Sequence, residues 1–180
     1  MDRDGIINLD KGYVSTSEEF EFVPGIFEAL KTAQDLGYLL IIVTNQSGIG
    51  REFYTQAQFD SLTVWLLDQF HLQGITITQV YHCPHAPHAG CDCRKPKPGM
   101  ILQAQKDWDI DLTQSWFIGD QFSDLGAAVA AGIPRAIYKT STALTPAERD
   151  ILKISLTHQF PQLEVHTVSE LSESQTILLT

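Results

Sequence analysis

Apolar positions fall into helical and strand patterns that alternate along the chain. In "PGIFEALKTAQDLG", Ile26, Leu30 and Ala33 recur at helical spacing, with Pro24 to open the helix and Gly37 to close it. The run "YLLIIVT" then has no polar interruption until Thr44, the pattern of a strand buried on both faces. Thr55 and Gln58 form a capping box, and Phe59, Leu62, Leu66 and Phe70 stripe one side of the helix it starts. Further on, "ITITQVYH" predicts a strand, "GMILQAQKDW" a helix, "SWFIGD" a short buried strand, "SDLGAAVAAG" a helix and "PRAIY" a strand. Thr145, Pro146 and Glu148 cap a late helix, and "EVHTV" is a candidate last strand.

This alternation predicts an α/β fold with a doubly wound, Rossmann-like parallel sheet. Residues 1–180 form a single domain with no separate cap, since no inserted domain interrupts the strands. Such sheets bind ligands outside the carboxyl ends of their strands. Polar residues gather there: Thr44 and Asn45 after "IIV", Asp120 after "WFIG" with Asp124 one helical turn on, and Asp2 and Asp4 in "MDRDG". Singly, each has an ordinary reading as turn chemistry, a helix-start acid or a solvated terminal charge. Together the carboxylates would repel unless a cation neutralised them, and all-oxygen ligands suit Mg²⁺ shared with a substrate phosphate. With a hydroxyl, an amide and a lysine added, the set describes phosphoryl transfer.

Charge narrows the partners. Twelve Lys and Arg stand against 22 Asp and Glu, a formal net charge of −10, which argues against nucleic acid or an anionic membrane. No apolar run approaches a membrane span, and three crowded cysteines point to metal in a reducing compartment. A cytoplasmic monomer acting on a small phosphorylated substrate is expected. The basic residues concentrate at Arg94, Lys95 and Lys97, inside "HCPHAPHAGCDCRKPKPG", residues 82–99.

That stretch reads as an inserted zinc-binding loop. In extended chain, residues i and i+2 face the same way, so Cys83 with His85 and Cys91 with Cys93 make two pincers. Pro84 biases Cys83 toward the extended region. A Cys3His set is a closed tetrahedron of the structural Zn²⁺ kind, with no open position for catalysis. His82 or His88 are the alternatives to His85, and three free thiols with coincidental histidines is the bland reading. The loop then acts as a clamp that sets Arg94 and Lys95 against a phosphate.

"DRDG", "VTNQ", "RKP" and "GDQFSD", in this order across residues 2–124, resemble the haloacid dehalogenase superfamily of phosphatases. The resemblance implies Asp2 as the nucleophile that forms an aspartyl-phosphate, and Asp4 as the acid and then base. It implies Thr44 and Lys95 on the phosphoryl oxygens, and Mg²⁺ held by Asp2, the Asp4 backbone carbonyl and Asp120, with Asp124 acting through water or orienting a partner. "CPH…CDCRKPKPGM", "TNQSGIGR" and "GYVSTSEEFEFVPG" look like the heptose-1,7-bisphosphate 7-phosphatases, with histidinol-phosphate phosphatases sharing several motifs. On this basis Asn45, Ser47, Arg51 and Arg94 are substrate-binding candidates. Glu52 and Gln121 depart from the pattern, where the family often has Gly and Lys. Family members also carry an apolar strand before the first motif, where only Met1 precedes Asp2 here. The expectation is an upstream start with a short apolar strand; the contrary reading is a catalytically dead, zinc-stabilised binding protein.

Overall fold

The computed structural model describes residues 1–179. Helix α1 (Ile26–Asp35) follows Gly25, whose φ of 81° turns the chain into the helix, and buries Ile26, Ala29, Leu30 and Ala33. Strand β1 (Leu40–Asn45) leads through the one-turn α2 (Ser47–Gly50) to α3 (Gln56–Leu72). The capping box expected at Thr55 and Gln58 is formed, and the buried face of α3 is Phe59, Leu62, Leu66 and Phe70. Then come β2 (Ile77–Cys83), α4 (Gly99–Trp108), β3 (Trp116–Gly119), α5 (Phe122–Ala131) and β4 (Arg135–Lys139). Thr145 caps α6 (Pro146–Gln159) through a second box with Glu148, before β5 (Glu164–Val168) and α7 (Ser172–Leu178).

Every pairing between these strands is parallel: β1 with β2, β3 with β4, and β4 with β5. Successive strand residues point to opposite faces. Ile42, Ile118 and Ile137 accordingly join one apolar cluster with α1, α3 and α7. Val43, Phe117 and Ala136 join the other with α4, α5 and α6. Helices therefore cover both faces of the sheet, the doubly wound arrangement the sequence predicts.

The strands fall into two hydrogen-bonded blocks, β1–β2 and β3–β4–β5, rather than one continuous sheet. Among the described residues, the backbone hydrogen bonds that cross the gap run through the chain's first two residues. The Val43 N–H donates to Met1 O at 2.8 Å, the Met1 amino group donates to Ile41 O at 2.9 Å, and the Asp2 N–H donates to Ile118 O at 2.9 Å. Met1 and Asp2 thus occupy strand positions between β1 and β3, which fixes Asp2 at the carboxyl edge of the sheet. Helix α7 was not evident in the sequence. Its polar run gives little periodicity, and it is placed by burial of Leu171 and Leu178 in the core.

Candidate active site

Four charged side chains meet where the two blocks join. Lys95, just past the cysteine loop, is buried, and its Nζ lies 2.8 Å from Asp2 Oδ2 and 2.7 Å from Asp124 Oδ1. The same ammonium donates to Val43 O at 2.8 Å, so all its donors are engaged. Burial alone would lower the Lys95 pKa, but the Asp2 and Asp124 carboxylates outweigh it and the net shift is upward. Burial pushes Asp2 up to about 7, with Asp124 adding repulsion and Lys95 offsetting only part. Asp120 is pushed up to about 6, again chiefly by burial and then by Asp124.

Glycines permit this crowding at two points. A Cβ on Gly5, which holds φ +81°, would overlap the Asp120 carboxylate, and one on Gly119 would overlap that of Asp124. Asp2, Asp120 and Asp124 each offer an oxygen within 4.8 Å of the others. Asp120 Oδ1 is buried without a hydrogen-bond partner among the described residues. Raised carboxyl pKa values and an unpaired buried oxygen are what a hard divalent cation relieves, so the donor set fits Mg²⁺.

Asp4 points elsewhere. Its carboxylate accepts from Arg3 Nη2 at 2.7 Å, Asn8 Nδ2 at 3.0 Å and Gln46 Nε2 at 2.9 Å. The side chain completing the carboxylate cluster is therefore Asp124, which the sequence placed only as an outer partner. Gln46 Nε2 also donates to Thr44 Oγ1 at 2.8 Å, and Tyr54 donates its hydroxyl to Gln46 Oε1. That hydroxyl is pushed up to about 12 by burial, so it stays a donor. Arg3, Asn8, Gln46 and Tyr54 were missed by sequence reasoning. Arg3 and Gln46 lie inside quoted motifs, but nothing local shows that they turn inward.

Thr44 is buried at the end of β1. Asn45, beside it, donates Nδ2 to Lys95 O at 3.2 Å and accepts the Lys95 N–H on Oδ1 at 3.0 Å. Both ends of this amide are thus spent on the Lys95 backbone, so here the expected substrate contact fastens the cysteine loop to β1. The Gln46 N–H donates to Cys83 O and the Gly50 N–H to Pro84 O, each at 2.8 Å, and seat the loop against α2.

In the loop, Cys83, His85, Cys91 and Cys93 converge. Cys93 Sγ lies 3.1 Å from Cys83 Sγ and 3.2 Å from His85 Nδ1; Cys83 Sγ lies 3.5 Å from Cys91 Sγ. A tetrahedron with Zn–S bonds of about 2.3 Å has ligand–ligand edges of roughly 3.8 Å, so small outward shifts would admit the ion. Burial and the neighbouring thiols push Cys93 up to about 12, so without a cation it keeps its proton. His82 does not join the cluster; it bonds Gln56 and packs on Phe59. Arg94 is half-buried, with Nη1 buried and without a partner among the described residues, a donor available to an anion. Lys97 instead pairs with Asp92 at 2.9 Å.

Ser47 opens α2. Arg51 is exposed, bonded to the Tyr13 hydroxyl and stacked 4.6 Å from the Phe53 ring centroid. Glu52 sits next to it at φ 59°. Gln121 donates to Asp120 Oδ2 at 3.1 Å and caps α5 with Asp124, so its amide serves the carboxylate cluster.

A family model described as "HAD-hyrolase-like" matches residues 92–164. The chain is 53% identical to the D-glycero-beta-D-manno-heptose-1,7-bisphosphate 7-phosphatase of Helicobacter pylori over 134 residues, 74% of this chain and 78% of that one. It is 49% identical to the corresponding alpha-heptose enzyme of Campylobacter jejuni over 133 residues, 74% of this chain and 76% of that one. Among solved structures, D,D-heptose 1,7-bisphosphate phosphatase from B. bronchiseptica, complexed with magnesium and phosphate, superposes with a TM-score of 0.82 at 28% identity, covering 99% of this chain and 95% of that one. No helix among the described residues is long and apolar enough to cross a membrane.

Proposed function

The chain belongs to the heptose-1,7-bisphosphate 7-phosphatase family of haloacid dehalogenase-like hydrolases, and on that premise we propose that it removes the 7-phosphate of D-glycero-D-manno-heptose 1,7-bisphosphate. The observation that carries the reading is the buried Asp2–Lys95–Asp124 triad at the sheet's carboxyl edge. Buried charge of this density is expensive for stability alone and marks a site of charge handling.

In the proposed reaction an Asp2 carboxylate oxygen attacks phosphorus, and the bond to the sugar oxygen breaks. Asp4 gives its proton to that leaving oxygen, and an aspartyl-phosphate remains on Asp2. Asp4 then takes a proton from water as the water oxygen attacks phosphorus; phosphate leaves and the Asp2 carboxylate returns. Arg3, Asn8 and Gln46 hold Asp4 in place for both transfers. Thr44 and Lys95 are assigned to the phosphoryl oxygens. The Lys95 donors are already engaged, so one must exchange a carboxylate or carbonyl for substrate. Mg²⁺, for which Asp2, Asp120 and the Asp4 carbonyl are the proposed ligands with Asp124 beside them, would offset charge on the transferring group.

Arg94 is assigned to substrate on the strength of its unpartnered buried nitrogen, with Ser47 and Arg51 lining the approach. Cys83, His85, Cys91 and Cys93 are assigned to a structural Zn²⁺ that keeps Arg94 and Lys95 in register with β1. The test is turnover on both anomers of heptose 1,7-bisphosphate and on histidinol phosphate, with ³¹P spectra to identify the ester cleaved. Loss of the 7-phosphate with the highest kcat/KM on a heptose supports the reading. A higher kcat/KM on histidinol phosphate, or loss of the 1-phosphate, overturns it.

A further inference from the structure

All three cysteines of the chain stand at the end of β2 and in the loop that follows, so a thiol oxidant has no other thiol to act on. Cys83 is buried, while Cys91 and Cys93 are half-buried and open to small solutes. Cys93 Sγ lies 3.1 Å from Cys83 Sγ, and Cys83 Sγ lies 3.5 Å from Cys91 Sγ. Zinc-bound cysteines are thiolates, the form that reacts with oxidants. An accessible thiolate with a second sulfur in reach is the arrangement of a redox-sensing pair.

The loop is tied to the reaction centre at both ends. Cys83 O accepts the N–H of Gln46, the residue whose side chain sets Asp4, at 2.8 Å. Cys93 stands two residues before Lys95, whose backbone is held by Asn45 and whose ammonium joins Asp2 to Asp124. The packing leaves no slack. A Cβ on Gly50 would overlap the Pro84 carbonyl and the Ala86 nitrogen, and one on Gly99 would overlap the Asp92 carbonyl. A rearrangement of the loop is therefore passed to the site rather than absorbed.

We propose, on the zinc assignment made above, that this loop is a redox switch: a peroxide joins Cys83 to Cys93, empties the zinc site and turns the phosphatase off until a thiol reductant reopens the bond. Cys93 Sγ attacks one peroxide oxygen, the O–O bond breaks, and a sulfenic acid forms as the other oxygen leaves as water. Cys83 Sγ then attacks the Cys93 sulfur, the S–O bond breaks, and a second water leaves. The two thiolates lose two electrons, the peroxide gains them, and two solvent protons complete the waters. Cys91 and His85 remain, too few ligands for a closed tetrahedron, so the metal is lost as Zn²⁺.

The experiment treats zinc-loaded protein with stoichiometric hydrogen peroxide. It follows zinc freed to a chromogenic chelator, a peptide map of the cysteines, and turnover of p-nitrophenyl phosphate with Mg²⁺. That generic ester separates the switch from the choice of natural substrate. Zinc release, a Cys83–Cys93 linkage and a fall in kcat of about 10²-fold should appear together, the scale on which an about 1 Å misplacement acts. Dithiothreitol with Zn²⁺ should restore activity, which over-oxidised cysteine would not allow.

Cys93→His and Cys91→His each keep four zinc-binding side chains, and each is compared with its own untreated form. The first should hold its zinc and activity under peroxide; the second should still switch. If either fails to load zinc, the wild-type peptide map alone assigns the pair. Full activity with the disulfide formed, or inactivation with all three thiols free, overturns the switch and leaves the phosphatase reading standing. Protein with no zinc to release overturns the zinc assignment and the switch together. An untreated enzyme without turnover contradicts the phosphatase reading and the switch with it, a failure seen before peroxide is added.

Discussion

Gln46 donates its side-chain amide to the Asp4 carboxylate at 2.9 Å, from the end of β1 to a loop at the start of the chain. The same amide reaches Thr44, and Tyr54 fixes its orientation. One side chain thus sets the relative position of the proposed acid–base and a proposed phosphoryl contact. Gln46→Ala is expected to lower kcat by roughly 10–100-fold, part of the about 10²–10⁴ that general acid–base catalysis supplies. Tyr54→Phe should have a smaller effect in the same direction. Steady-state kinetics checks both, and wild-type kcat in Gln46→Ala would remove the orienting role.

Lys95 is the only cation within ion-pairing distance of Asp2 and Asp124 among the described residues. Removing one partner from a buried charge cluster costs about 3–5 kcal/mol. Lys95→Met should therefore lower Tm by roughly 6–20 °C in metal-free protein, given about 2–4 °C per kcal/mol at this chain length. Added Mg²⁺ should restore part of the loss by supplying the missing positive charge. Calorimetry with and without Mg²⁺ reads both effects.

The carboxyl cluster makes metal binding pH-dependent. Asp2 and Asp120 are raised to about 7 and about 6, so the metal-free folded state holds protons that the unfolded state has released. The sign follows: stability from these groups is present below their unfolded pKa of about 3.9 and is lost as pH rises through about 6–7. Mg²⁺ must displace those protons, so its binding tightens over the same rise. The Tm gain on adding Mg²⁺ should be larger near pH 8 than near pH 5. Equal gains at both would contradict the cation site.

Much of this was legible in the sequence because the signals are local. The boxes at Thr55 and Thr145, the stripe from Phe59 to Phe70 and the i, i+2 pairing at Cys83/His85 and Cys91/Cys93 depend only on nearby residues. What was not legible depends on tertiary placement. Asn45 turns to the Lys95 backbone and Asp124 enters the carboxylate cluster through contacts that no periodicity encodes. Asp2 is held without a regular strand because Met1 and Asp2 borrow the edges of β1 and β3.

The cysteine cluster should hold one Zn²⁺ per chain. Cys91→Ser is expected to release it and lower Tm by more than about 5 °C, since structural zinc contributes roughly 10–16 kcal/mol of apparent binding energy in small domains. Activity should fall as well, because Asn45 ties the loop's end to β1 through Lys95. Metal analysis of protein purified without chelators checks the stoichiometry. Full activity and unchanged Tm in a zinc-free Cys91→Ser protein would contradict the clamp.

The central claim is that Asp2 carries the phosphoryl group between substrate and water. The most direct measurement is to quench the enzyme during turnover of heptose 1,7-bisphosphate with Mg²⁺, reduce with borohydride and map the product by mass spectrometry. An acyl phosphate is reduced to the alcohol, so the account predicts homoserine at position 2, absent without substrate and absent in Asp2→Asn, which should also be inactive. Reduction at another carboxylate, or sustained turnover by Asp2→Asn with deamidation excluded, would contradict it.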